Sequence, residues 1–132
     1  MVDILTCAPE QLATVQMYDM PSLFAGKIHA VICRGWQSRV KGRDLYDYVF
    51  YLSNGTPVNR EHLRERLIQS GYITPDTECT LDEIKGYLRN KFESIDFTKA
   101  REDVKPFIQD PTKLNVWSAE FFKQITENLT VI

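Results

Sequence analysis

The feature that most constrains the fold is a series of helix-start signals along the chain. Asp19 precedes Pro21, Asp110 precedes Pro111, and Thr80 opens a Thr-Leu-Asp-Glu segment with the spacing of a capping box. A short polar side chain ahead of a helix accepts hydrogen bonds from the free N–H groups of the first turn, and proline fits the first helical position. Apolar residues at three- and four-residue steps follow these signals, which indicates amphipathic helices.

These patterns predict a mostly helical chain. Val2–Thr6 and Thr14–Tyr18 are short β-branched runs that predict two strands. We therefore expect a single α+β domain over residues 1–132, predominantly α, with about five to seven helices and a short N-terminal β element. Helices are expected over residues 21–34, 43–53, 60–70, 80–93 and 97–104, with one or two more between 111 and 129.

Composition excludes several classes of protein. A net charge of −2 gives no overall basic field for collecting nucleic acid. Three widely spaced cysteines are typical of reduced thiols, and the cysteines and histidines lack metal-ligand spacing, so no metal site is expected from them. The N-terminus lacks a signal-peptide pattern, and no apolar run approaches the roughly 18 residues of a membrane span. We expect a cytoplasmic protein without membrane contact.

One predicted helix carries charges that core packing does not require. Lys27 and Arg34 interrupt the apolar segment Leu23–Arg34, and their spacing puts both on nearly the same face. Gly26 beside the lysine costs about 1 kcal/mol relative to alanine in a helix interior. That cost is explained if a ligand approaches this face closely.

Two carboxylates follow in the next predicted helix. Arg43 is succeeded by Asp44 and Asp47 at a three-residue step. Lysine and arginine suit phosphate oxygens, and a nearby carboxylate can hold Mg²⁺ or accept a hydroxyl proton, which together predicts half of a phosphoryl-transfer site. The alternative is structural: the lysine reaches solvent, and Arg–Asp pairs tie neighbouring helices, with Asp47 bridging back to Arg34 or Arg43.

These segments resemble the third and fourth motifs of the AbiEii/AbiGii nucleotidyltransferases, the toxin family of type IV toxin–antitoxin systems. In that family one helix carries A-x-K-x-x-A-x-x-x-R, and the next opens with R-D-x-Y-D. The similarity extends through Asp103–Ile108 and Trp117–Ser118, so the chain resembles the C-terminal half of such an enzyme. The matching motif residues are Ala25, Lys27, Ala30, Arg34, Arg43, Asp44, Tyr46 and Asp47.

The resemblance implies transfer of a nucleotide from an NTP, with tRNA as the acceptor in some members. Lys27 would contact the NTP phosphates, and Asp44 would act as a base or assist the acceptor hydroxyl. Arg34 and Arg43 would support the triphosphate or orient Asp44. The site residues it implies are the catalytic Lys27 and Asp44, the nucleotide-binding Lys27, Arg34 and Arg43, and the supporting Asp47 and Tyr46.

The sequence departs from this family at the first motif, in which Gly-Ser or Gly-Thr precedes paired acidic residues that bind metal ions. Gly55-Thr56 leads to Pro57 and to no carboxylate pair. We therefore expect the metal-binding N-terminal lobe to be absent and the chain to be inactive alone. Mg²⁺ and NTP are expected only in a complete enzyme, with neither bound to this chain alone, and its status as an enzyme stays open.

The expected partners are the missing lobe or a cognate antitoxin, with a homodimer as a further alternative. A tRNA or another acceptor is expected only for the full enzyme. The alternative function is a non-catalytic module that binds an antitoxin or a homologue, because a missing lobe would expose an apolar patch. Tyr18 and Phe24 are candidates for that patch.

Overall fold

The computed structural model describes residues 19–33 and 42–132, which fold into helices joined by short loops. The predominantly helical fold is confirmed, whereas Val2–Thr6 and Thr14–Tyr18, the expected strands, lie outside the described residues. The helices are α1 (Met20–Cys33), α2 (Gly42–Ser53), α3 (Arg60–Gln69), α4 (Leu81–Ser94), α5 (Phe97–Val104) and α6 (Ala119–Thr126), with 3-10 helices at Lys105–Phe107 and Pro111–Val116.

The helix-start signals form the local hydrogen bonds that their sequence predicts. Asp19 Oδ1 accepts from the Ser22 N–H at 2.9 Å at the start of α1. Thr80 and Glu83 close a capping box at the start of α4, each side chain accepting from the backbone of the other. Asp110 caps a 3-10 helix instead of an α-helix. The sequence therefore located these starts, because each cap involves residues at most three positions apart.

The core is built around one tyrosine of α2. Tyr48 is wholly buried, and its ring lies within 6.3 Å, centroid to centroid, of the rings of Phe24, Phe92 and Phe122. Its hydroxyl lies 2.7 Å from Thr126 Oγ1. Phe24 is also wholly buried, so the expectation that it belongs to an exposed patch is wrong: its ring fills the space between α1 and α2, where it stacks on Tyr51.

The start of α2 is fixed by a close approach to α5. A Cβ atom at Gly42 would overlap the backbone carbonyl oxygen of Ala100, so glycine lets the two helices meet. The Gly42 N–H donates to Asp103 Oδ2 at 2.9 Å. This contact positions the first turn of α2, which carries Asp44.

The C-terminal end of the chain runs beside the loop before α3. Val58 and Val131 form an isolated parallel bridge, in which the Val58 N–H donates to the Thr130 carbonyl oxygen at 2.8 Å and the Ile132 N–H donates to the Val58 carbonyl oxygen at 2.9 Å. Within residues 19–33 and 42–132, no helix has the length and apolar character of a membrane span.

Candidate functional site

A groove of about 570 Å³ lies between α1 and α3 beside the start of α2, and we name it the α1–α3 groove. Its volume falls in the range of small-molecule sites, roughly 300–1,000 Å³. The described lining residues are Ser22, Leu23, Gly26, Lys27, His29, Ala30 and Cys33 of α1, Asp44 of α2, and His62, Arg66 and Ser70 on or just after α3.

Small residues make room on the α1 side of this groove. Ser22, Gly26 and Ala30 follow one another at four-residue steps and therefore share one helix face. A Cβ atom at Gly26 would meet nothing within 4 Å. The fold therefore does not need glycine here for a close helix contact, and its lack of a side chain leaves open space where a ligand could approach.

Lys27 is held by a carboxylate of α2. Its Nζ lies 2.8 Å from Asp47 Oδ2, and the two side chains are 39% and 37% exposed. A pair this accessible to water stabilises the fold by at most about 1 kcal/mol. Asp47 thus reaches the lysine of α1 rather than Arg43. An ammonium has three donors, so Lys27 can also bind a ligand oxygen.

Asp44 supplies an acidic group at the edge of the same groove. It lies in the first turn of α2 and is 8% exposed. The N-terminal turn of a helix favours a negative charge, because its N–H groups carry partial positive charge. Its neighbour Arg43 projects in another direction, with the guanidinium 5.3 Å from the centre of the exposed Phe107 ring.

The structure brings some of the expected site residues together and separates others. Lys27 and Asp44 line one groove, and Asp47 joins them through its ion pair. Arg43 and Tyr46 are not among the groove's described lining residues, so their roles toward a nucleotide stay predictions. Arg34 lies outside the described residues.

The three residues on the α3 side of the groove were not indicated by the motifs. His62, Arg66 and Ser70 recur at four-residue steps, which places them on one face of α3 and its C-cap. Ser70 Oγ lies 3.2 Å from His29 Nε2 and so links the walls of the groove. The four-residue spacing was visible in the sequence, but it does not reveal that this face meets α1.

A second groove, of about 250 Å³, runs between α2 and the C-terminal segments, and we name it the α2–α6 groove. Aromatic side chains dominate it, with Tyr46 44% exposed and Phe50 51% exposed at its rim. Its lining residues are Tyr46, Val49, Phe50, Ser53, Asn54, Lys113, Leu114, Trp117 and Phe121.

The described residues do not by themselves fit the metal ions of phosphoryl transfer. Two-metal sites need several carboxylates, and Asp44 is the one carboxylate in the described lining of the α1–α3 groove. Across residues 19–33 and 42–132, no group of three or more His, Cys, Asp or Glu side chains could hold a metal ion.

Comparison with known proteins gives one match. A family model described as the nucleotidyl transferase AbiEii toxin of type IV toxin–antitoxin systems matches residues 2–124. Searches of curated proteins and of solved structures returned no match. The matched range contains Lys27, Asp44 and the whole described lining of both grooves. The chain therefore belongs to the AbiEii nucleotidyltransferase toxin family.

Proposed function

We propose that this chain contributes phosphate contacts and a proton acceptor to nucleotidyl transfer from an NTP. The observation that carries the proposal is the convergence of Lys27 and Asp44, from different helices, on the α1–α3 groove. The groove combines an accessible ammonium with a largely buried carboxylate. Family membership supports the same chemistry.

In this proposal Lys27 releases Asp47 and binds oxygens of the triphosphate. The acceptor hydroxyl forms its new O–P bond at the α-phosphorus, the bond from that phosphorus to the bridging oxygen breaks, and pyrophosphate leaves. Asp44 takes the hydroxyl proton. The acidic pair of the family's first motif is not found in these 132 residues, so we propose that the chain is inactive without a partner that provides it.

An amide-shift titration tests the phosphate contacts. The sequence led us to expect no NTP bound to the chain alone, but the groove and its accessible Lys27 lead us to propose weak phosphate contacts there at millimolar nucleotide. The isolated chain is titrated with Mg²⁺ and each NTP, and shifts are expected to cluster at Lys27 and Asp44 and to disappear in Lys27→Ala. The control is Lys99→Ala, which removes one positive charge from an exposed position of α5 outside both grooves. A flat titration at millimolar nucleotide, or equal effects of the two variants, would contradict the proposed contacts.

Reconstitution tests the proton acceptor. The chain is combined with an N-terminal lobe that carries the acidic pair, and transfer from a labelled NTP is measured. Asp44→Asn is expected to lower the transfer rate about 10²- to 10⁴-fold, the usual contribution of general base catalysis. The nucleotide Kd should change little. Transfer at the wild-type rate by Asp44→Asn would show that Asp44 is not the base.

The α2–α6 groove favours a second candidate, a module that binds an antitoxin or a homologue. Its rim exposes Tyr46 and Phe50, and large exposed aromatic groups mark protein interfaces. The toxin–antitoxin family implies an antitoxin partner. Under this function, Phe50→Glu weakens association with the antitoxin or with a second copy in light-scattering measurements. The matched Phe107→Glu, 70% exposed and outside this groove, leaves association intact. Equal behaviour of the two variants refutes this candidate.

A further inference from the structure

We infer that Arg66 of α3 is a second phosphate-binding residue of the α1–α3 groove, on the wall formed by α3. The ligand chemistry is a chain of phosphate groups, either the triphosphate of a nucleotide or the backbone of a nucleic-acid acceptor. The inference deepens the proposed function and rests on it for the use of Lys27.

The arginines of α3 contact different parts of the molecule. Arg60 Nη1 donates to the carbonyl oxygen of Glu78 at 2.7 Å. Arg64 donates to the carbonyl oxygens of Thr77 at 2.9 Å and Pro75 at 2.6 Å. Both guanidinium groups therefore fasten the loop that follows α3. Arg66 takes no part in these loop bonds and lines the groove instead.

The charge around Arg66 favours an anionic ligand. The arginine side chain is exposed, and in the described ranges no ion pair involves it. In the described groove lining Lys27 and Arg66 bring positive charge and Asp44 brings negative charge, and Asp47 pairs with Lys27 until a ligand displaces it. Two cations from separate helices favour a ligand with several negative charges over a ligand with a single carboxylate.

The groups that surround Arg66 also suit a phosphate ligand. A guanidinium presents paired N–H donors that fit phosphate oxygens two at a time. His62 and Ser70 lie one turn to either side of Arg66 on the groove wall, and His29 lies opposite Ser70. The Ser70 hydroxyl donates its proton to the Leu67 carbonyl oxygen at 3.1 Å, whereas an imidazole N–H can donate to a phosphate oxygen. This wall is therefore suited to an extended phosphate chain.

The experiment measures binding of three probes to the isolated chain by amide shifts: inorganic tripolyphosphate, ATP with Mg²⁺, and a short single-stranded RNA. Arg66→Ala is expected to weaken tripolyphosphate binding about tenfold or more, as expected for loss of charge-assisted hydrogen bonds. Arg66→Lys should recover part of that loss because it keeps the charge. Lys99→Ala is the control for a general change in charge, and circular dichroism verifies that each variant is folded.

The probes also identify the source of the phosphates. A parallel loss for ATP assigns Arg66 to the triphosphate, whereas a loss for the RNA with ATP binding unchanged assigns it to the acceptor backbone. Equal affinities in Arg66→Ala and Lys99→Ala for all probes overturn the inference. Binding that depends on Lys27 and not on Arg66 overturns the inference and leaves the proposed function standing. Binding that depends on Arg66 and not on Lys27 overturns only the proposed role of Lys27. No binding of any probe overturns both.

Discussion

Alanine substitution at two helical glycines is expected to change stability in opposite directions. Gly26 lies inside α1, where an added Cβ atom would meet nothing within 4 Å. Gly42 lies at the start of α2, where the same atom would overlap the Ala100 carbonyl oxygen and press on the Asp103 side chain. The pair therefore tests both the open groove and the close contact between α2 and α5.

The magnitudes follow from these surroundings. Alanine is favoured over glycine in a helix interior by about 0.8–1 kcal/mol, and open space leaves that gain intact at Gly26. Gly42→Ala forces a backbone carbonyl to move, and overpacking of this kind costs about 1–3 kcal/mol. Its N–H bond to Asp103 is weakened as well, by up to about 1 kcal/mol. We expect Gly26→Ala to stabilise by about 1 kcal/mol and Gly42→Ala to destabilise by about 2 kcal/mol or more.

Urea unfolding followed by helical circular dichroism measures both changes, provided that the denaturant slope is unchanged between variants. Gly86→Ala is the matched control, because Gly86 lies inside α4 and also has nothing within 4 Å of an added Cβ atom. Its gain should equal that of Gly26→Ala. A loss of stability in Gly26→Ala alone would show that this face is packed rather than open. A neutral Gly42→Ala would refute the close approach of α2 to α5.

Three further predictions concern buried and paired groups. Thr126 Oγ1 donates to the Phe122 carbonyl oxygen, so the Tyr48 hydroxyl must donate to Thr126. We expect Thr126→Val to lower the free energy of unfolding by about 1–3 kcal/mol and Tyr48→Phe to lower it by about 1 kcal/mol. Equal losses in urea titrations would contradict this bond direction. Burial raises the pKa of Tyr48 above its usual 10.0. Above that pH the unfolded chain therefore binds fewer protons than the folded chain, and the free energy of unfolding falls by up to about 1.4 kcal/mol per pH unit. Unfolding measured at about pH 9 and about pH 11 should show a smaller fall for Tyr48→Phe than for wild type, and an identical fall would refute this assignment. Asp47→Asn should cost at most about 1 kcal/mol of stability and tighten tripolyphosphate binding by freeing Lys27, whereas weaker binding would show that Asp47 positions the lysine for its ligand.

The sequence alone determined where most helices begin, and it predicted which residues would meet phosphate. The caps at Asp19, Thr80 and Asp110 depend on hydrogen bonds across two or three residues, so their signals are complete within a short segment. The motif residues Lys27 and Asp44 were likewise visible from residue type and spacing, and the structure places both on one groove.

Tertiary packing decided which groups share that groove. Because α3 packs against α1, Arg66 lies at a site that the motifs assign to α1 and α2. Because α1 packs against α2, Lys27 forms an ion pair with Asp47 and Phe24 is buried in the core. Helix periodicity reports which residues share a face, but it does not report which helix that face will meet. That choice depends on how buried side chains from distant parts of the chain fit together around Tyr48.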